Sequence, residues 1–157
     1  MSKIRSVLFV CTGNTCRSVM AEGLLKKYLK DNGRDDVTVQ SAGLSALGGQ
    51  APTMETVMVA KADGVDVSGH KSQYLTGELI RSADLILTME EYHKNRIAQW
   101  VPEASGKTFL LKEFGTASAA KNLSRLDIAD PIGMPLEAYR ESEKEIKAEI
   151  ERIGKYI

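Results

Sequence analysis

The sequence predicts a three-layer α/β/α fold, with a central four-stranded parallel sheet and a phosphate-binding loop after the first strand. Three observations predict it. Short runs of branched apolar residues recur along the chain between polar and glycine-containing segments, the pattern of strands buried on both faces. Stretches with apolar residues at helical spacing separate them. Strands that alternate with helices in this way pair in parallel and are covered on both sides.

The first strand is "SVLFV", Ser6 to Val10, a continuous apolar run. From Arg17 to Asn32 the period changes: Met20, Leu24, Leu25, Tyr28 and Leu29 recur at helical spacing, and "DNG" at Asp31 to Gly33 stops the helix. Val37 to Gly43 is the second strand. After "LSALGGQAP" a helix runs from about Thr53 to Asp63. Ala83 to Met89 is the third strand, followed by a helix from near Glu90, and "KTFLLKEF" is the fourth strand. Gly115 to Gly133 reads as a long loop. Pro135 then opens an amphipathic closing helix. Its charged face, Glu137 to Lys155, is expected in solvent. His93 and Trp100 are expected on a surface helix, packing or facing solvent, His70 in a structural role, and Met54, Met58, Met89 and Met134 as gap-fillers in core or loops.

With 157 residues and 43% hydrophobic content, the chain suits a single domain spanning residues 1–157. Twenty-one basic residues balance twenty-one acidic ones, so no global field argues for nucleic acid or a membrane surface. No segment has the apolar length of a membrane span, and the N-terminus lacks a convincing cleavage site. A cytoplasmic monomer is expected. The two cysteines, Cys11 and Cys16, would close too short a loop for a framework disulfide, and with only His70 and His93 besides they make a poor zinc set. Neither metal nor cofactor is called for.

Both thiols lie in "CTGNTCRS", between a strand and a helix. In a parallel sheet ligands sit beyond the carboxyl ends of the strands, where loops enter helix N-termini. Such a loop offers unpaired backbone N–H groups and the positive end of the helix dipole. Gly13 and Asn14 tolerate the left-handed conformations that a nest of inward-pointing amides requires. The loop from Thr12 through Gly13, Asn14, Thr15, Cys16, Arg17 and Ser18 is therefore a candidate phosphate cradle. It is not a Walker loop, because a thiol opens it and no GK[ST] closes it. Cys11 would sit at its centre with the Arg17 guanidinium as a bidentate clamp, and Ser18 could add a hydroxyl bond. Cationic surroundings favour the thiolate, the nucleophilic form.

The spacing C-x5-R-S after an apolar strand closely resembles the signature of the low-molecular-weight protein tyrosine phosphatase family. The resemblance extends through "SAG" at Ser41 to Gly43, "SADLILTM" at the third strand and "DP" at Asp130 to Pro131. It implies Cys11 as nucleophile, Arg17 as phosphate clamp and transition-state stabiliser, Asp130 as general acid, and Asn14 and Ser41 as hydrogen-bonding supports of the loop. Val19 departs from the family's usual proline. Independently, a departing group needs a proton and a phosphocysteine needs an activated water, so one carboxyl can serve both steps. Asp127 is the rival, and the restricted Asp-Pro backbone favours Asp130.

Thr12 bears on the substrate. Phosphotyrosine-directed members resemble one another in an aliphatic residue after the cysteine and aromatic pocket walls. Here Thr12 follows Cys11, Ile132 and Gly133 follow Pro131, and Leu44 to Ala51 contains no aromatic. Thr12 resembles the protein arginine phosphatase branch, although Ile132 departs from the aromatic usual there. The resemblance implies phosphorylated proteins as substrates, phosphoarginine ahead of phosphotyrosine. Arsenate reductases share a similar loop, but the relay cysteines they need are missing from "LTMEEYHKNRIAQWVPEASG". A redox sensor pairing Cys11 with Cys16 and a non-catalytic phosphate-binding or phosphocarrier module stay open at this point.

Overall fold

The computed structural model describes residues 3–116 and 126–157. Strand β1 (Ser6–Cys11) leads into α1 (Arg17–Asp31), then β2 (Thr38–Gly43), α2 (Met54–Ala62), α3 (Gly77–Ser82), β3 (Leu85–Thr88), α4 (Glu91–Trp100), β4 (Thr108–Leu110) and α5 (Leu136–Ile153). Short 3-10 turns at Pro102–Lys107 and Gly154–Tyr156 follow α4 and α5. All strands pair in parallel, in the order β2-β1-β3-β4.

Alternation along β1 divides the core. Val7, Phe9 and Cys11 join Leu25, Leu87, Ile146 and Ile150 on the side of α1 and α5. Leu8 and Val10 pack with Ile80, Ile86 and Ile97 on the side of α3 and α4. Each fully buried Val, Leu, Ile or Phe among them contributes about 1.5–3 kcal/mol. The predicted three layers are present, and the reason is this double burial: a strand apolar on both faces needs helices on both.

Chain order also positions the loops. From β1 the chain moves to β2 on one side of it, then crosses to β3 on the other. The carboxyl ends of β1 and β3 therefore diverge into opposite layers, opening the crevice in which sheets of this kind bind ligands.

Several expected boundaries shift. Strand β4 covers only Thr108–Leu110 of "KTFLLKEF". Helix α3 was not anticipated, because six residues show too little periodicity; the Thr76 hydroxyl caps it, accepting from the Leu79 N–H at 3.1 Å. The expected loop over Gly115 to Gly133 lies partly outside the described residues. Of the four methionines expected as gap-fillers only Met89 is buried; Met54, Met58 and Met134 are all more than half exposed. On α5, Glu143 is buried rather than solvated. No helix among the described residues is long and apolar enough to cross a membrane.

Candidate active site

β1 ends at Cys11 and α1 begins at Arg17, so the cradle is the turn between them. The segment after β2 straps it down: the Leu44 N–H donates to the Cys11 carbonyl at 3.0 Å and the Ser45 N–H to that of Thr12 at 2.9 Å. This close approach requires Gly43, where a Cβ would meet the Thr12 oxygen at 2.5 Å and the Asn14 nitrogen at 2.9 Å. Asn14 has φ 56°, the one positive value at a non-glycine residue among those described. Gly13, expected to share this conformation, does not lie in the left-handed region.

Asn14 is fully buried and every polar atom it carries is used. Its backbone N–H donates to Cys11 Sγ at 3.3 Å, and its carbonyl lies 3.1 Å from His70 Nε2. Its amide Nδ2 donates to Ser18 Oγ at 2.8 Å and Ser41 Oγ at 2.9 Å, while Oδ1 accepts from the Gln73 N–H at 2.9 Å. Proton directions follow. The Ser41 hydroxyl donates its own O–H to Glu22 Oε1 at 2.5 Å. Ser18, accepting from Asn14, is free to donate to Cys11 Sγ at 2.9 Å. Two donors thus converge on the sulfur from a network that ends in the carboxylate of Glu22.

Arg17 is 1% exposed. A buried guanidinium is tolerated only with partners, and these come from elsewhere in the chain. Nη1 donates to Glu90 Oε2 and to the Ile128 carbonyl, both at 2.6 Å. Nη2 lies 3.5 Å from Asp130 Oδ2. Asp127 faces away from this pair: its Oδ1 accepts the Glu91 N–H at 2.8 Å in the first turn of α4. Of these two aspartates, Asp130 is thus the one beside the guanidinium.

Of the two alternatives for His93 on α4, the structure takes the packing one: the side chain is 0% exposed. It sits in the first turn of α4, where the Glu90 N–H donates to Nδ1 at 3.1 Å, and Nε2 lies 2.9 Å from Thr12 Oγ1. Burial, aided by the nearby Arg17 cation and opposed by Asp130, pushes its pKa down to about 3. The imidazole is neutral at ordinary pH. Trp100 is about half exposed, in keeping with a surface position.

Cys16 is a buried free thiol, as is Cys11. Its sulfur lies 3.7 Å from Thr15 Oγ1 and 3.6 Å from Thr53 Oγ1, and the Thr53 N–H donates to the Thr15 carbonyl at 3.2 Å. Thr53 in turn caps α2, so the far end of the cradle is anchored to that helix.

The structure therefore brings together Cys11, Thr12, Asn14, Arg17, Ser18, Ser41 and Asp130. It adds Glu22, His70, Gln73, Glu90 and His93, which sequence reasoning left out. Their only shared signal is a position in polar segments near strand ends or in α1, which does not say which of many such residues turn inward. Chemically, the arrangement offers a sulfur nucleophile at a helix N-terminus, a hydroxyl donor to it, a buried guanidinium, and a carboxyl within reach of that guanidinium.

The chain is similar to known phosphatases. The family model described as low molecular weight phosphotyrosine protein phosphatase matches residues 6–157. A protein-arginine-phosphatase of Geobacillus stearothermophilus is 40% identical over 151 residues, covering 96% of this chain and 95% of its own. A probable low molecular weight protein-tyrosine-phosphatase, EpsP of Ralstonia nicotianae, is 39% identical over 139 residues, covering 88% and 86%. Among solved structures, the YwlE arginine phosphatase as a cysteine-to-serine mutant with a phosphorylated active-site serine superposes with a TM-score of 0.86. It shares 35% identity and is matched over 96% of this chain and 94% of its own.

Proposed function

The chain belongs to the low molecular weight phosphotyrosine protein phosphatase family, and on that premise we propose that it removes phosphoryl groups from arginine side chains of proteins through a phosphocysteine on Cys11. The observation that carries the mechanism is the convergence on one loop of the Cys11 sulfur, the Ser18 hydroxyl, the Arg17 guanidinium and the Asp130 carboxyl. A phosphorylated active-site side chain in the YwlE mutant supports a covalent intermediate of this kind.

In the first step the Cys11 sulfur attacks phosphorus in line, and the bond from phosphorus to the leaving nitrogen breaks. Asp130 supplies the proton which that nitrogen needs. Arg17 and the loop amides bind the equatorial oxygens as charge develops on them. In the second step water attacks the phosphocysteine, Asp130 takes a proton from it, and the S–P bond breaks to release inorganic phosphate. Ser18 then donates to the departing sulfur as it did to the attacking one.

Arginine is favoured over tyrosine on the strength of Thr12, whose hydroxyl makes that wall polar, and of the whole-length likeness to the Geobacillus enzyme. A phosphocarrier has no use for a carboxyl placed beside the clamp. The reading includes a monomer acting in the cytoplasm on phosphorylated proteins, without nucleic acid, membrane, metal or cofactor.

Two measurements test it. Burst release from a generic aryl phosphate is expected from the unmodified chain and lost in Cys11→Ser; turnover that survives this change overturns the mechanism. Hydrolysis of a phosphoarginine peptide is expected to exceed that of a phosphotyrosine peptide in kcat/KM, and Thr12→Ile to move the ratio towards tyrosine. A ratio that Thr12→Ile leaves in place overturns the selectivity.

A further inference from the structure

The Thr12 hydroxyl has one recorded partner among the described residues, the buried imidazole of His93. The two ring nitrogens are told apart by their surroundings. The Glu90 backbone N–H donates to Nδ1, so Nδ1 holds a lone pair and the proton of the neutral ring sits on Nε2. Nε2–H therefore donates to Thr12 Oγ1. Glu90 links this pair to the rest of the site, since its carboxylate holds Arg17 while its N–H holds His93.

A threonine side chain presents a methyl and a hydroxyl on one carbon, and its rotamer decides which of them lines a pocket. Here a donor of fixed tautomer, on a buried ring that cannot turn without leaving the Glu90 N–H unpaired, selects the rotamer. The hydroxyl gives up one lone pair to Nε2–H and keeps its proton and a second lone pair. A guanidino group has N–H to offer that lone pair. A phenolic ring has none.

We propose that His93 is a positioning residue for substrate selectivity, which holds Thr12 in the rotamer that makes position 12 a polar wall suited to a guanidino leaving group. The inference rests on the preference for phosphoarginine proposed above.

The test is a double-mutant cycle read as the ratio of kcat/KM for a phosphoarginine peptide to that for a phosphotyrosine peptide. His93→Asn keeps an acceptor for the Glu90 N–H and loses the donor to Thr12; His93→Gln is chosen to restore an N–H donor to Thr12. Thr12→Val and His93→Asn are each expected to lower the ratio about tenfold, the worth of one hydrogen bond. His93→Gln is expected to stay within about threefold of the unmodified chain. In the Thr12→Val background His93→Asn is expected to have no further effect on the ratio.

An equal fall with and without the Thr12 hydroxyl overturns the inference, as does a ratio that Thr12→Val moves and His93→Asn does not. A ratio unmoved by Thr12→Val overturns the arginine reading at this position and the inference with it, so the two failures are told apart. Nitrogen NMR of the histidine ring in the unmodified protein is independent of how the variants fold. Protonated Nε2 with bare Nδ1, and an Nε2–H resonance that shifts in Thr12→Val, is expected; the opposite tautomer overturns the inference.

Discussion

The guanidinium of Arg17 and the carboxylate of Glu90 meet at 2.6 Å, the first almost wholly buried and the second 31% exposed. The contact joins the start of α1 to the residue preceding α4 and turns Nη2 towards Asp130.

Replacing Glu90 with glutamine is expected to keep an acceptor but leave the buried cation without its closest counter-charge. Because the carboxylate is partly solvated, the stability cost is expected at roughly 1–3 kcal/mol, the range for leaving a buried polar group without its partner. Turnover of an aryl phosphate is expected to fall at least tenfold, since the clamp is no longer aimed. The thermal midpoint and kcat/KM check this together. Unchanged kcat/KM would remove Glu90 from the positioning of Arg17.

Gly43→Ala adds one carbon where the Thr12 carbonyl and the Asn14 nitrogen already stand. Both neighbours are backbone, so the loop itself must move. The expected cost is about 1–3 kcal/mol, with a larger proportional loss of activity, because the displaced atoms belong to the cradle. Urea unfolding and aryl phosphate turnover measure the two effects; a variant stable and active as the parent would mean that the loop is not held tightly here.

Asp130→Asn removes the proposed proton donor while leaving an amide of the same shape. A nitrophenolate leaves without help, whereas a poor leaving group does not, so the variant is expected to lose far more activity on peptide substrates than on p-nitrophenyl phosphate. Because water activation is also lost, phosphocysteine is expected to accumulate after rapid mixing. Equal losses on both substrates would argue that Asp130 acts on binding instead.

Away from the site, Glu143 on α5 shares a hydrogen bond with Asp63, which also holds Lys147 at 2.9 Å. Burial, reinforced by that hydrogen bond and the Asp63 charge, pushes Glu143 up to about 8 from an ordinary 4.5, while the same hydrogen bond lowers Asp63. Folded chain thus holds a proton on Glu143 that unfolded chain releases near 4.5. Native protein binds more protons across that window, so stability declines as pH rises from about 4.5 to about 8. Thermal midpoints between those limits are expected to fall for the parent and to run flatter for Glu143→Gln. Parallel curves would show that this carboxyl ionises normally.

The layers and the cradle were legible because both are written in neighbouring residues. Runs such as "SVLFV" can only be buried twice, and Cys11, Arg17 and Ser18 lie within one strand-to-helix turn, whose geometry follows from their spacing. Glu143 was misread for the complementary reason. Helical spacing distinguishes an apolar face from a charged one, but does not report that α2 packs beside α5 and covers part of the charged face.

The same distinction divides the active site. Local sequence determined where Cys11, Arg17 and the left-handed Asn14 fall, because strand end, small residues and helix start follow in immediate succession. Tertiary folding settled which distant side chains meet them. It set Asp130 against Arg17 and Asp127 on α4, and it placed Glu90 and the imidazole of His93, more than seventy residues along the chain, against Arg17 and Thr12. The reason is physical: the crevice forms where β1 and β3 part, so its walls come from loops adjacent in space and remote in sequence, and no periodicity within one segment encodes its neighbour.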